Sequence, residues 1–172
     1  MKISKISNKK GFTIVETLIV LAIAALILMI VLIAVPDLQR SAQNSNIRTD
    51  AQNIASAIQT FEGNNQGLLP SSVKNNNGTI TVTSSSSSSS GSTIPATGHM
   101  QASTLIAAPT TGPQQETYSG GNDTTIYVEL NAECPSSSTG GQINPTPNQR
   151  GVAIIYPINA GGGNYGAGCI QD

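Results

Sequence analysis

Hydrophobic and polar positions divide the chain into stretches with different periods. Residues 18–35, LIVLAIAALILMIVLIAV, are 18 consecutive apolar residues, about 27 Å long as a helix. That length approaches the thickness of a bilayer's hydrocarbon core. A core helix of a soluble domain shows a polar face, whereas this run is apolar all round. It predicts a membrane-spanning helix.

Beyond Pro36 a helical period emerges: Ile47, Ala51, Ile54, Ile58 and Phe61 are spaced 4, 3, 4 and 3. They predict an amphipathic helix over residues 37–62 whose stripe packs on a sheet. Leu38, Ala42 and Ser45 extend the stripe too weakly for a coiled coil. Pro36 lacks an N–H for the carbonyl of Leu32, so a kink or local opening is expected there. The run from Glu62 to Pro70, EGNNQGLLP, is rich in helix breakers and ends the helix.

Three later segments have the composition of strands: residues 79–83 (TITVT), 125–130 (TIYVEL) and 151–158 (GVAIIYPI). Residues 99–108 (HMQASTLIAA) fit either a helical turn or a strand, and the seven serines at 84–90 read as a flexible exposed loop. The predicted fold class is α+β, a long N-terminal helix packed on a small antiparallel sheet that forms the head.

Charge changes this picture by giving it a direction. The formal net charge is −1, but Lys2, Lys5, Lys9 and Lys10 all precede the apolar run. The positive-inside rule keeps them cytoplasmic and sends residues 37–172 outward. Without residues 1–11 four Lys/Arg face nine Asp/Glu, a balance of −5, which offers no counterion-releasing surface to nucleic acid. A cleaved secretory signal is the competing reading, but the apolar run exceeds a usual h-region and no A-x-A pattern follows Val35.

One residue resists a purely lipid-anchoring reading. Glu16 lies near the start of the apolar segment, and no Lys, Arg or His occurs between residues 11 and 39. An ionised carboxylate inside a membrane costs about 2.5–3.5 kcal/mol on insertion scales, so it calls for a partner. A cut between Gly11 and Phe12 would create one, a charged amine that precedes Glu16 by four residues within its own chain or that could meet Glu16 of a neighbouring chain, the second arrangement setting helix register.

The basic leader ending in Lys9-Lys10-Gly11, followed by Phe12-Thr13-Ile14-Val15-Glu16, the apolar helix and Pro36, resembles type IV pilins and the pseudopilins of type II secretion. Gly11, Phe12, Thr13 and Glu16 meet every specified position of the G/F-T-x-x-E pattern. The passage AIQTF-x-x-x-N-x-G-x-L-P, residues 57–70, is similar to the helix-to-loop passage of that family. The resemblance covers residues 1–70 and concerns only architecture beyond them.

It implies a leader over 1–11, a membrane and polymerisation helix over 12–36, the amphipathic continuation over 37–62 and a β-rich head over 63–172. It further implies that prepilin peptidase cleaves between Gly11 and Phe12 and methylates Phe12, that Glu16 and Thr13 serve assembly, and that the helix loosens near Pro36. The implied partners are further copies of the chain, the peptidase, the pilus assembly machinery and the inner membrane. The chain would sit there as a single-pass protein with its C-terminus outside, then in an extracellular filament serving adhesion or twitching motility.

Two cysteines, Cys134 and Cys169, fall on the outward side, where they would most simply pair. A redox or metal role would want C-x-x-C or more ligands, and His99 is the only histidine. The resemblance supports a disulfide, since many type IV pilins close a C-terminal loop. Gly161-Gly162-Gly163-Asn164-Tyr165-Gly166 matches G-x-G-x-x-G, yet the sequence leaves no room for a following helix, and a flexible loop suffices.

No catalytic Ser-His-Asp or paired-carboxylate arrangement is apparent, so no enzyme, cofactor or metal is expected. Asp123, Glu129 and Glu133 are close in sequence without an EF-hand pattern for calcium. Asn77-Gly78-Thr79 and Asn122-Asp123-Thr124 are formal glycosylation sequons. Three functions remain in contention: a surface-filament subunit, a pseudopilin for secretion or DNA uptake, and a single-span anchored binding protein that never polymerises.

Overall fold

The computed structural model describes residues 11–84, 96–101, 103–107, 109–118, 124–136 and 142–171. One helix, α1, runs Ile14–Asn64 and remains helical through Pro36. The chain divides into two units between Gln39 and Arg40.

The first unit is helical from Ile14. Thr13 stays outside the helix as its N-cap: its Oγ1 accepts the Glu16 N–H at 3.3 Å, and its carbonyl accepts the Thr17 N–H at 3.2 Å. From there to Gln39 every residue is exposed, including Leu18, Ile23, Leu26, Ile30 and Ile33. An apolar surface of this extent needs a non-aqueous surrounding or a partner.

In the second unit the helix is one-sided. Ile47, Ala51, Ile54, Ile58 and Phe61 are buried as their spacing predicts, but the buried face also takes in Asp50, Ala55 and Ala57. The helix ends two residues later than expected, at Asn64, where Gln66 and Gly67 turn to positive φ.

Ten strands are present among the described residues. An antiparallel sheet is formed by β1 (Ser72–Asn76), β2 (Thr79–Thr83) and β3 (Ala96–His99). The larger sheet contains β4 (Leu105–Ile106), β5 (Thr110–Thr111), β7 (Thr125–Glu133), β9 (Thr146–Gly161) and β10 (Asn164–Gln171). Its order is β10-β9-β7-β4, with β5 also on β7. The short strands β6 (Glu116–Thr117) and β8 (Gln142–Ile143) pair with each other.

The expectation of a simple antiparallel sheet is therefore corrected. β4 and β5 run parallel to β7, so the main sheet is mixed. All three predicted strands exist, two of them longer than their apolar cores because polar ends join the ladder: 125–130 extends to Glu133, and 151–158 spans Thr146–Gly161. Of residues 99–108, the described ones include the end of β3, Thr104, whose N–H donates to the Gln101 carbonyl, and β4, while 102 and 108 lie outside the described residues. Of the serine run, residues 85–90 lie outside the described residues.

β9 explains its own sequence. Residues 151–156 are all buried because both faces are covered. Val152, Ile154 and Tyr156 join the core under the helix with Phe61, Ile80, Val82 and Val128. Ile155 joins Tyr118, Ile143 and Ala167 on the opposite face. There Tyr118 and Tyr127 meet edge to face, with centroids 5.7 Å apart, and the Tyr118 hydroxyl lies within hydrogen-bonding distance of the Thr125 and Ile155 carbonyls.

β1 and β10 were not expected as strands. β1 is polar apart from Val73, and β10 is glycine-rich, with Gly168 directly opposite Tyr156, whose ring occupies the space of the missing side chain. Gly161, Gly162 and Gly163, all at positive φ, form the tight β9–β10 hairpin where a flexible loop was expected.

The segment linking β3 to β4 is tied to the helix by a buried carboxylate. Asp50 Oδ1 accepts the Gln101 N–H at 3.1 Å, and Oδ2 accepts the Thr104 hydroxyl at 2.6 Å. Replacing Asp50 by Ala strands both donors and is expected to destabilise the head by about 1–3 kcal/mol. Urea unfolding of the full chain in detergent, followed by tyrosine fluorescence, measures that loss.

Candidate functional site

Gly11, Phe12 and Thr13 precede the first helical residue and are exposed, with nothing within 4 Å of the space a side chain on Gly11 would fill. This is open backbone immediately before the helix. The cap at Thr13 fixes where that helix begins.

Glu16 lies in the first turn and is exposed. An acid in the first turn is at the end of the helix where the dipole favours negative charge. The dipole supplies a fraction of a counter-charge and not a full one. No cationic side chain occurs from residue 11 to 39. Pro36 lies inside α1 and removes one helical donor.

In the head, Cys134 and Cys169 form a disulfide with Cα atoms 5.8 Å apart. It joins the residue after β7 to β10, and Cys169 packs on the core face opposite the helix. Gln171 braces the link: its Oε1 accepts the Cys134 N–H at 2.6 Å. The closed loop therefore carries β8 and all of β9.

The other candidate chemistry does not converge among the described residues. His99 is exposed, and its carbonyl accepts from Asn53 at 2.8 Å. The cavity beside it, about 240 Å³, is otherwise lined by Asn53, Ser56, Ala57, Thr60, Thr97 and Gly98. Glu129 is fully buried and accepts the Gln114 N–H at 3.1 Å, while Glu133 is exposed. Asp123 lies outside the described residues, and no group of three His, Cys, Asp or Glu occurs within them.

The G-x-G-x-x-G match is followed by a strand, so it presents no helix N-terminus to phosphate. Of the two sequons, Asn77 is exposed at the tip of the β1–β2 hairpin, and Asn122 lies outside the described residues.

Sequence reasoning passed over several amide and carboxylate side chains that position backbone. Asn44 donates to the Asn159 carbonyl at 3.0 Å and accepts its N–H at 2.8 Å, pairing with β9 as another strand would. Asp50 was legible in principle, because it falls three residues after Ile47 and four before Ile54 on the apolar stripe. Asn44 and Asn75 sit among many similar polar residues and carried no such mark.

Replacing both cysteines by Ala is expected to cost about 4 kcal/mol on the chain-entropy account of a loop this long. Denaturant unfolding of the oxidised full chain against the double variant checks it, with the larger loss at the β7, β9 and β10 amides in hydrogen exchange.

Among known families, the model of the prokaryotic N-terminal methylation motif matches residues 6–32. No curated protein and no solved structure gives a significant match to the chain.

Proposed function

We propose that this chain, which carries the class III signal peptide of type IV pilins and pseudopilins, is a structural subunit that polymerises through its N-terminal helix into a type IV pilus. The observation that carries this reading is the exposed apolar helical surface of residues 12–35 bearing the single acid Glu16. A plain anchor needs the apolar surface but has no use for the acid.

The mechanism follows from moving that charge between environments. Prepilin peptidase cuts the open backbone between Gly11 and Phe12 and methylates the new amine. Residues 12–36 remain in the inner membrane with the head outside. On assembly the helix leaves lipid for the filament interior, and its apolar surface is covered by the same surface of neighbouring copies. The amine of Phe12 on one chain meets Glu16 of the next, so both charges are neutralised only in the correct register. Thr13 fixes the helix start, which sets the spacing between amine and acid. Pro36 weakens the helix locally and lets it bend where copies pack.

The motif is shared with pseudopilins. The disulfide favours a pilus over a secretion piston, because a head stapled by a covalent link suits prolonged exposure outside the cell. The head supplies the surface for adhesion and motility functions, and no catalytic role is assigned to it.

Glu16→Ala is the direct test. Cells making the variant should retain it in the inner membrane while filaments recovered by shearing fall by about tenfold or more, the order expected for stranding one buried charge. Undiminished filaments would sink the register mechanism. Sheared material consisting only of short stubs in the wild type would point to the pseudopilin instead.

A further inference from the structure

The β1–β2 hairpin turns on Asn77-Gly78, at φ 51° and 91°, between the paired residues Asn76 and Thr79. Both central residues take the left-handed conformation that a two-residue hairpin requires. Asn followed by Gly is also the dipeptide most prone to lose its side-chain amide, since glycine puts no side chain over the attacking nitrogen. In that reaction the Gly78 nitrogen gives its proton to a solvent base and bonds to Asn77 Cγ. The side-chain nitrogen leaves as ammonia, and the succinimide takes up one water to open as Asp or isoAsp.

The isoAsp product routes the main chain through an extra carbon, which a two-residue turn cannot absorb without losing its register. Damage would spread, because the Gly78 carbonyl accepts the Met100 N–H at 3.0 Å. Asn77 is exposed, so base and water reach it freely.

One neighbouring side chain stands against the reaction. Asn75 Oδ1 accepts the Gly78 N–H at 2.8 Å, engaging the proton whose removal starts the attack. Asn75 is itself held, because its Nδ2 donates to the carbonyls of Gln101 at 2.9 Å and Thr104 at 2.7 Å. Those two residues are in turn anchored by Asp50 on the helix. A single amide thus links the turn's reactive nitrogen to the buried frame of the head.

We propose that Asn77 is the head's site of chemical ageing by succinimide formation, and that Asn75 is a positioning residue that sets its rate by holding the Gly78 N–H. For a subunit exposed outside the cell, beyond the reach of resynthesis, that rate bounds the working life of the hairpin.

The test is peptide mass spectrometry of Asn77 deamidation in the full chain in detergent, incubated in mildly alkaline buffer beside a free peptide of residues 72–83. The folded chain should react at least about tenfold more slowly than the peptide, and Asn75→Ala should recover about that factor, the equivalent of one lost hydrogen bond. In Asn75→Ala the other β1 and β2 amides should keep their hydrogen-exchange protection, which separates release of the Gly78 N–H from unfolding of the hairpin. Equal rates in folded chain and peptide would overturn the proposal. So would no change on Asn75→Ala, or a faster rate in Asn75→Ala accompanied by loss of protection throughout β1 and β2. A glycan on Asn77 in protein from its native source would overturn it as well, by removing the free amide.

Discussion

A charge placed in an apolar surface must be neutralised wherever that surface goes, and this constraint governs the N-terminal part of the chain. Residues 12–35 are helical or helix-capping, exposed and almost wholly apolar, and Glu16 is the one ionisable side chain among them. Covering the surface with lipid or protein removes the water that would stabilise the acid, at a cost of several kcal/mol without a partner. Side chains within the segment offer no cation. A new N-terminus produced at Phe12 does, and a neighbouring helix can bring it to the acid. In the assembly proposed above, that pairing would set register between copies and the apolar surface would hold them together.

The second unit meets a different difficulty. The whole chain is only 3% aromatic and has no Trp, so few large side chains are at hand from which to build a core. It solves this by covering its central strands on two sides, the helix stripe on one face and Tyr118, Ile143 and their neighbours on the other. Polar side chains then hold the backbone that has no ladder partner. Asp50, Asn44 and Asn75 each make at least two bonds to main chain or hydroxyl groups of another element. The disulfide secures the outer layer, where short strands give little cooperativity.

Residues whose role follows from period or motif were legible before the structure. The apolar run, the stripe from Ile47 to Phe61 and the central parts of β2, β7 and β9 could be read directly, and the methylation motif over residues 6–32 agrees with the family resemblance. β1 is polar apart from Val73 and carries no strand period, so its one local sign is Asn77-Gly78, a pair that is a strong hairpin indicator between strands as well as part of a sequon. β10 was missed because its glycines have no strand propensity of their own. They fit only because Tyr156 covers Gly168 and a triple-glycine turn brings the strand alongside β9, facts of tertiary packing that no local pattern carries. The parallel pairings of β4 and β5, each two residues long, left no periodic trace either.

The proposed assembly requires that this helix be freed at Phe12 and then buried among copies of itself. Mass spectrometry of the N-terminal peptide of protein sheared from cells tests it most directly. Abundant sheared protein should begin at Phe12 with a methylated amine. Protein confined to membranes with residues 1–11 still attached, in cells with an active peptidase and assembly machinery, would contradict it.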